Sequence, residues 1–184
     1  GFPRVTQAFK AYEGRDDVLK LHAGDANTGT LYYTLFKGQA DADLMNTICF
    51  DAMAAGNHEF DDGDAQFKSF IDRLHAGACQ TPVLAANVKP QVGTPLAPKA
   101  TDDYLKPYTI KTVKGVQVGI IGLTVKGKTQ NSSRPLATTV FEDEAVAAQR
   151  TIDQLKVQGV KHIVLLTHIG YQADKALAAR LTDV

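Results

Sequence analysis

The stretch Ala55-Gly56-Asn57-His58-Glu59-Phe60-Asp61 decides how this chain is read. A short apolar run, Asp51-Ala52-Met53-Ala54, precedes it and reads as a buried strand, which places Asn57 and His58 just beyond a strand's C-terminal end. In α/β proteins that edge is where ligands bind. An amide, an imidazole and a carboxylate within five residues suit metal and phosphate chemistry. Asn57 can offer its carbonyl oxygen to a hard cation. His58 can hold a proton near neutral pH and release it to a leaving oxygen. Asp61, about one turn further on, is placed to orient His58 and keep it charged.

Working outward, strands and helices alternate. Val5, Phe9 and Tyr12 space an amphipathic helix ending at Gly14. Val18–Leu21 reads as a strand running into the Gly24-Asp25 loop, Leu31–Phe36 as a short helical insert closed by Gly38, and Asp41–Ile48 as a helix with Leu44, Met45 and Ile48 inward. Asp64–Leu74 is a helix with Phe67, Phe70, Ile71 and Leu74 on one face, followed by a strand at Val83–Ala86. Prolines 90, 95, 98 and 107 mark the region from Lys89 to Lys106 as irregular. Tyr108–Val113 and Val116–Leu123 read as a hairpin turning at Lys114-Gly115. Thr129–Thr139 reads as loop, Glu142–Val157 as a helix with Ala145, Ala148, Ile152 and Leu155 inward, His162–Leu166 as an apolar strand ending at Thr167-His168, and Asp174–Leu181 as a last helix. The alternation predicts a layered α/β domain, and the hairpin predicts mixed sheets.

Composition narrows the class. A chain of 184 residues can bury a real core. Lys plus Arg equal Asp plus Glu at 20 each, so no basic excess points to nucleic acid or an anionic membrane. No apolar run approaches the ~20 residues of a membrane span. The two cysteines, Cys49 and Cys79, each precede an expected strand; if those strands are parallel neighbours, the thiols share one sheet edge. Free half-buried thiols and a disulfide formed in an oxidising compartment both remain open.

With Gly24-Asp25 upstream and Thr167-His168 downstream, Gly56–Asp61 resembles the calcineurin-like metallophosphoesterases, and most nearly their secreted bacterial-type 5′-nucleotidase branch, whose Gly-Asn-His-Glu-Phe-Asp signature it matches residue for residue. The resemblance runs over nearly the whole chain. It implies a metallophosphoesterase-type α/β/β/α sandwich. It implies two divalent metal ions (Zn, Mn, Fe or Mg), with Asp25 as the bridging carboxylate and Asn57 and His168 as ligands. His58 is then the residue that meets the phosphate and the leaving alkoxide, supported by Asp61. The substrate is a nucleoside 5′-monophosphate or a related nucleotide, and the compartment is the periplasm, the cell surface or the extracellular space. The chain's first residues, Gly1-Phe2-Pro3-Arg4, lack an apolar leader core, so a leader is expected upstream.

The same pattern calls for an Asp-x-His motif on a first strand and a Gly-His-x-His motif beyond the last helix. Neither occurs in residues 1–184, so the expectation is one catalytic domain, an internal piece incomplete at both ends and poorly active alone. Two alternatives stay open. The cyclic-nucleotide phosphodiesterase branch tends to place Asn where Asp61 stands. A non-catalytic nucleotide- or phosphate-binding module would also tolerate an incomplete ligand set.

Other features are weaker. Gly122-Leu123-Thr124-Val125-Lys126-Gly127-Lys128-Thr129 matches the Walker A pattern, but helix breakers follow at 130–135, where a true P-loop runs into a helix, so a surface loop is expected. His22 reads as core or support for the site, and His75 and His162 as solvent-facing. Asn131-Ser132-Ser133 is a glycosylation sequon, with meaning only in a eukaryotic secreted protein. Asn27 and Thr28, beside Asp25, are placed to shape the site.

Overall fold

The computed structural model describes all residues, 1–184. Three parallel strands, β1 (Leu21–His22), β2 (Ala52–Ala54) and β3 (Val83–Leu84), form one sheet in that order. A second sheet has the order β5-β6-β8. Its hairpin of β5 (Tyr108–Val113) and β6 (Val116–Thr124) is antiparallel, and β8 (His162–His168) joins β6 in parallel. Between them in sequence, β4 (Val88–Lys89) and β7 (Val140–Phe141) make a small antiparallel ladder. The helices are α1 (Phe2–Lys10), α2 (Leu31–Phe36), α3 (Gln39–Met45), α4 (Gly63–Ala76), α5 (Lys126–Ser132), α6 (Glu144–Val157) and α7 (Tyr171–Ala178).

The period-two alternation of strand side chains sorts the core into three layers. Met53, Val83 and Ala85 point to one side, where Phe67, Phe70, Ile71 and Leu74 of α4 and Met45 and Ile48 cover them. Ile121 and Leu123 point the other way, onto Ala145, Ala148, Ile152 and Leu155 of α6. Ala52, Ala54, Leu84, Ile120 and Leu166 meet between the two sheets. The result is the expected α/β/β/α sandwich. The sheets approach closely where this layer carries Ala52, Ala54 and Gly122. A Cβ at Gly122 would collide with the Leu84 backbone, and the Ala86 amide donates to Gly122 O across that gap at 2.8 Å.

Several local expectations need correction. The apolar face of α1 is Phe2 and Phe9, which pack on the core, Phe9 edge-on to Phe50 at 5.6 Å. Val5 and Tyr12 are exposed, and the helix closes at Lys10 with the turn at Gly14 following separately. The first strand starts late because the Asp51 carboxylate takes the Lys20 amide at 2.8 Å before strand pairing begins at Leu21. Residues 126–132, expected as loop, are helical. His75 is half-buried rather than solvent-facing, since Nε2 meets Thr81 O at 2.8 Å. His162 is exposed as expected.

Cys49 and Cys79 form a disulfide, with Cα atoms 4.9 Å apart, which excludes the free-thiol reading. Parallel pairing of β2 and β3 brings the residues just before each strand to the same edge. Closing a loop of 30 residues, this link is expected to contribute about 3–4 kcal/mol on the chain-entropy account. Denaturant unfolding of the Cys49→Ser, Cys79→Ser variant checks this, and an unchanged midpoint would refute it.

Candidate active site

The site lies where three strands end. The chain leaves β1 into Ala23-Gly24-Asp25, leaves β2 into Ala55-Gly56-Asn57, and finishes β8 on His168. Two of these strands belong to one sheet and the third to the other, so the site exists only where both sheets stop together. Cross-sheet bonds hold that end closed. Thr124 Oγ1 donates to Ala55 O at 2.8 Å, and buried Asn87 bonds both the carbonyl and the amide of Thr124 at 2.8 and 3.0 Å, while Val125 N donates to His168 O at 3.0 Å and extends the β6–β8 ladder.

All five residues singled out from the sequence come together here. Asp25 Oδ2 lies 3.0 Å from His168 Nε2 and 3.9 Å from His58 Nε2, and Asp25 Oδ1 accepts the His58 amide at 3.0 Å. His58 Nδ1 sits 2.5 Å from Asp61 Oδ2. Asn57 and His168 line one cleft of about 380 Å³, together with Lys128 and Asp174. A larger cavity, about 1030 Å³, runs along the outer face of α6 and brings none of these residues together. The site therefore combines the smaller cleft, lined by Asn57 and His168, with the adjoining cluster of Asp25, His58 and Asp61.

The electrostatics follow from this packing. Burial pushes the Asp25 carboxyl up, but the bond from His168 and the His58 amide outweigh it, so its pKa falls below the usual carboxylate value. The same pairing raises the pKa of His168 against the opposing effect of burial, and the bond to Ala23 O adds to the rise. His168 Nδ1 meets that carbonyl at 2.7 Å, which fixes the ring with Nε2 toward Asp25. His22 supports the loop, as expected: it lies edge-on to Phe50 at 5.2 Å and its Nδ1 accepts the Gly24 amide at 3.2 Å. Burial lowers its pKa.

Glu59 was read only as one letter of a signature, and its task becomes visible in three dimensions. It is 1% exposed and accepts four backbone amides: Gly56 at 2.7, Asp25 at 2.9, Ala26 at 2.7 and Asn27 at 3.1 Å. Burial pushes its pKa up, and the amide bonds pull against that rise. This carboxyl clamps the Asp25 loop to the Asn57 loop. The clamp needs close backbone approach: a Cβ on Gly56 would overlap Asp25, and one on Gly24 would lie 2.7 Å from Gly56 N. Asp25 itself sits at φ 55°, held there by the clamp.

Ser133 and Lys128 also belong to this region and carried no sequence signal for it. The Ser133 hydroxyl lies 2.8 Å from Asp61 Oδ1 and 2.8 Å from Asn57 O. Asn27, expected to help shape the site, does so through its backbone amide on Glu59; its buried side-chain amide has no partner. The Walker-like segment does run into a helix, against expectation, but it is no phosphate loop. Gly122, Leu123 and Thr124 still belong to β6, only Val125 separates strand from helix, and buried Thr129 spends its hydroxyl on Val125 O.

The donors also bear on a metal. No group of three or more His, Cys, Asp or Glu is placed to hold an ion. Yet Asn57 is 2% exposed and its Oδ1 has no hydrogen-bond partner. A buried amide oxygen left unpaired costs free energy unless a ligand satisfies it. Carboxylate, amide oxygen and imidazole in one place suit a divalent cation, and these residues fit part of its shell.

No protein-family model matches the chain. It is 42% identical over 183 residues to the rat 5′-nucleotidase, covering 100% of this chain and 30% of that protein. The structure of Haemophilus influenzae NAD nucleotidase superposes on all of it with TM-score 0.89 at 41% identity, over 31% of that chain. The chain belongs to the calcineurin-like metallophosphoesterases, in their 5′-nucleotidase branch. A Bacillus subtilis calcineurin-like phosphoesterase is also similar, with TM-score 0.68 at 26% identity over 93% of this chain and 54% of that one. The chain thus spans under a third of the length of the two nucleotidases.

Replacing Glu59 by Gln tests the clamp. One side-chain oxygen becomes an amide nitrogen, which cannot accept from the Asp25 and Gly56 amides. Two buried donors lose their partner at about 1–3 kcal/mol each. Glu59→Gln is therefore expected to lower unfolding free energy by about 2–6 kcal/mol in denaturant melts. A change under about 0.5 kcal/mol would refute the clamp.

Proposed function

We propose that this protein is a metal-dependent phosphomonoesterase that hydrolyses nucleoside 5′-monophosphates, or related nucleotides, to nucleoside and phosphate. One observation carries the reading: Asp25 and His168, from strands of different sheets, stand 3.0 Å apart beside the unpaired amide oxygen of Asn57, with His58 at the same point. The kinship with 5′-nucleotidases supports the reaction class, and Asp61 at the end of the signature favours the 5′-nucleotidase branch over cyclic-nucleotide hydrolysis.

Asp25, Asn57 and His168 are the residues to hold two divalent cations, Zn, Mn, Fe or Mg. When bound, the cations supply Lewis acidity toward the phosphoryl group. The remaining work falls to the chain. Asp61 holds His58 Nδ1, which leaves Nε2 on the Asp25 side, 3.9 Å from Oδ2, where it is placed to meet the phosphate and give a proton to the leaving ester oxygen. Lys128, on the cleft wall, adds a positive charge facing an incoming anion. The clamp on Glu59 keeps Asp25 in place without entering the cleft, since it is spent on backbone amides.

An exported location, periplasmic or extracellular, goes with this reading. The Cys49–Cys79 disulfide supports it, because such bonds persist in oxidising compartments. No helix is long and apolar enough to cross a membrane.

Two substitutions separate the roles. In the full-length enzyme, His58→Asn is expected to leave bound metal near normal and to cut turnover of a chromogenic phosphate ester or a nucleotide by ~10²–10⁴-fold. Asp25→Asn is expected to lose metal, because a carboxylate ligand becomes a neutral amide. Metal analysis beside steady-state kinetics reads both. Loss of metal in His58→Asn, or full turnover in Asp25→Asn, would sink the assignment.

A further inference from the structure

Ser133 lies 72 residues beyond Asp61 and 76 beyond Asn57 in sequence, yet its hydroxyl is within 2.8 Å of an acceptor on each. The segment that carries it is tied down along its length. Arg134 N donates to Phe60 O at 3.0 Å, Leu136 N to Asp64 Oδ1 at 2.9 Å, and Thr139 Oγ1 to Asp64 Oδ2 at 2.8 Å. Asp64 is itself buried at the start of α4. Residues 133–139 therefore form a strap across residues 57–64, and Ser133 is its point of contact with the site.

Asp61 holds His58 through Oδ2 alone. A carboxylate gripped at one oxygen still rotates, and the imidazole it holds rotates with it unless the second oxygen is also fixed. Ser133 Oγ reaches that second oxygen, Oδ1. We propose that Ser133 is a positioning residue for His58, acting through Asp61: the strap delivers a hydroxyl that locks the Asp61 carboxylate, and so the His58 ring, into the orientation that turns Nε2 toward the leaving oxygen. Asn57 O lies at the same 2.8 Å and competes for the single hydroxyl proton, which the carboxylate takes as the stronger acceptor. This inference rests on the role given to His58 in the proposed function.

The test is a double-mutant cycle in the full-length, metal-loaded enzyme, produced in a bacterial host so that the Asn131 sequon stays silent. Ser133→Ala is expected to lower kcat about 10-fold, the scale of one hydrogen bond to a charged group, with KM unchanged. Ser133→Thr, which keeps the hydroxyl, is expected to restore most of that loss. In a His58→Asn background, Ser133→Ala is expected to cost nothing further, because the ring it positions is gone. An equal 10-fold loss in both backgrounds, or a loss confined to KM, overturns the inference while leaving the phosphoesterase reading intact. A full-length wild-type enzyme inert toward phosphate monoesters sinks that reading instead. Side-chain NMR of His58 then decides the positioning alone: Ser133→Ala is expected to shift the Nδ1 resonance and speed exchange of its proton, and an unchanged spectrum overturns the inference.

Discussion

The buried carboxyl of Glu59 is the constraint on which this site depends. Four amide donors from two separate loops converge on its two oxygens, and no other side chain links those loops so densely. The amides belong to residues 25–27 and 56, which leave the ends of adjacent parallel strands. Loop backbone at a sheet edge ordinarily turns to water for hydrogen bonds. Here a buried carboxyl inside the protein replaces that water, which freezes the loops and frees the side chains of Asp25 and Asn57 for other use.

That arrangement works because the framework behind it is tight. Ala52, Ala54 and Gly122 let the two sheets approach closely, and the approach brings His168 at the end of β8 within reach of Asp25 beyond β1. Larger residues in this middle layer would push the sheets apart and separate the two ligands. Packing volume in the core and spacing of donors in the cleft are thus one geometric problem, and small residues solve both.

Binding free energy is stored in what the site leaves undone. Asn57 keeps a buried oxygen without a partner, and Asp25 is held at positive φ. Each carries a cost that a rigid surround sustains. The disulfide at the opposite ends of β2 and β3 and the strap at 133–139 supply part of that rigidity, one beneath the sheet and one across the signature turn.

Much of this was legible in the sequence. Helical spacing marked the buried faces of α4 and α6 residue by residue, because periodic burial against a flat sheet leaves a periodic signal. The signature and the two strand-end motifs named Asp25, Asn57, His58, Asp61 and His168, since each follows an apolar run that ends where ligands bind. Tertiary structure alone decided the rest. Residues 126–132 became helical despite poor local signals, because α5 is held between the end of β6 and the site. Val5 and Tyr12 turned outward because only Phe2 and Phe9 found a core to meet. The disulfide depended on β2 and β3 being neighbours, which no local pattern states. Three of the four amides on Glu59 come from 32 to 34 residues away and the two acceptors at Ser133 from 72 and 76, and a one-dimensional pattern holds no record of contacts that folding alone creates.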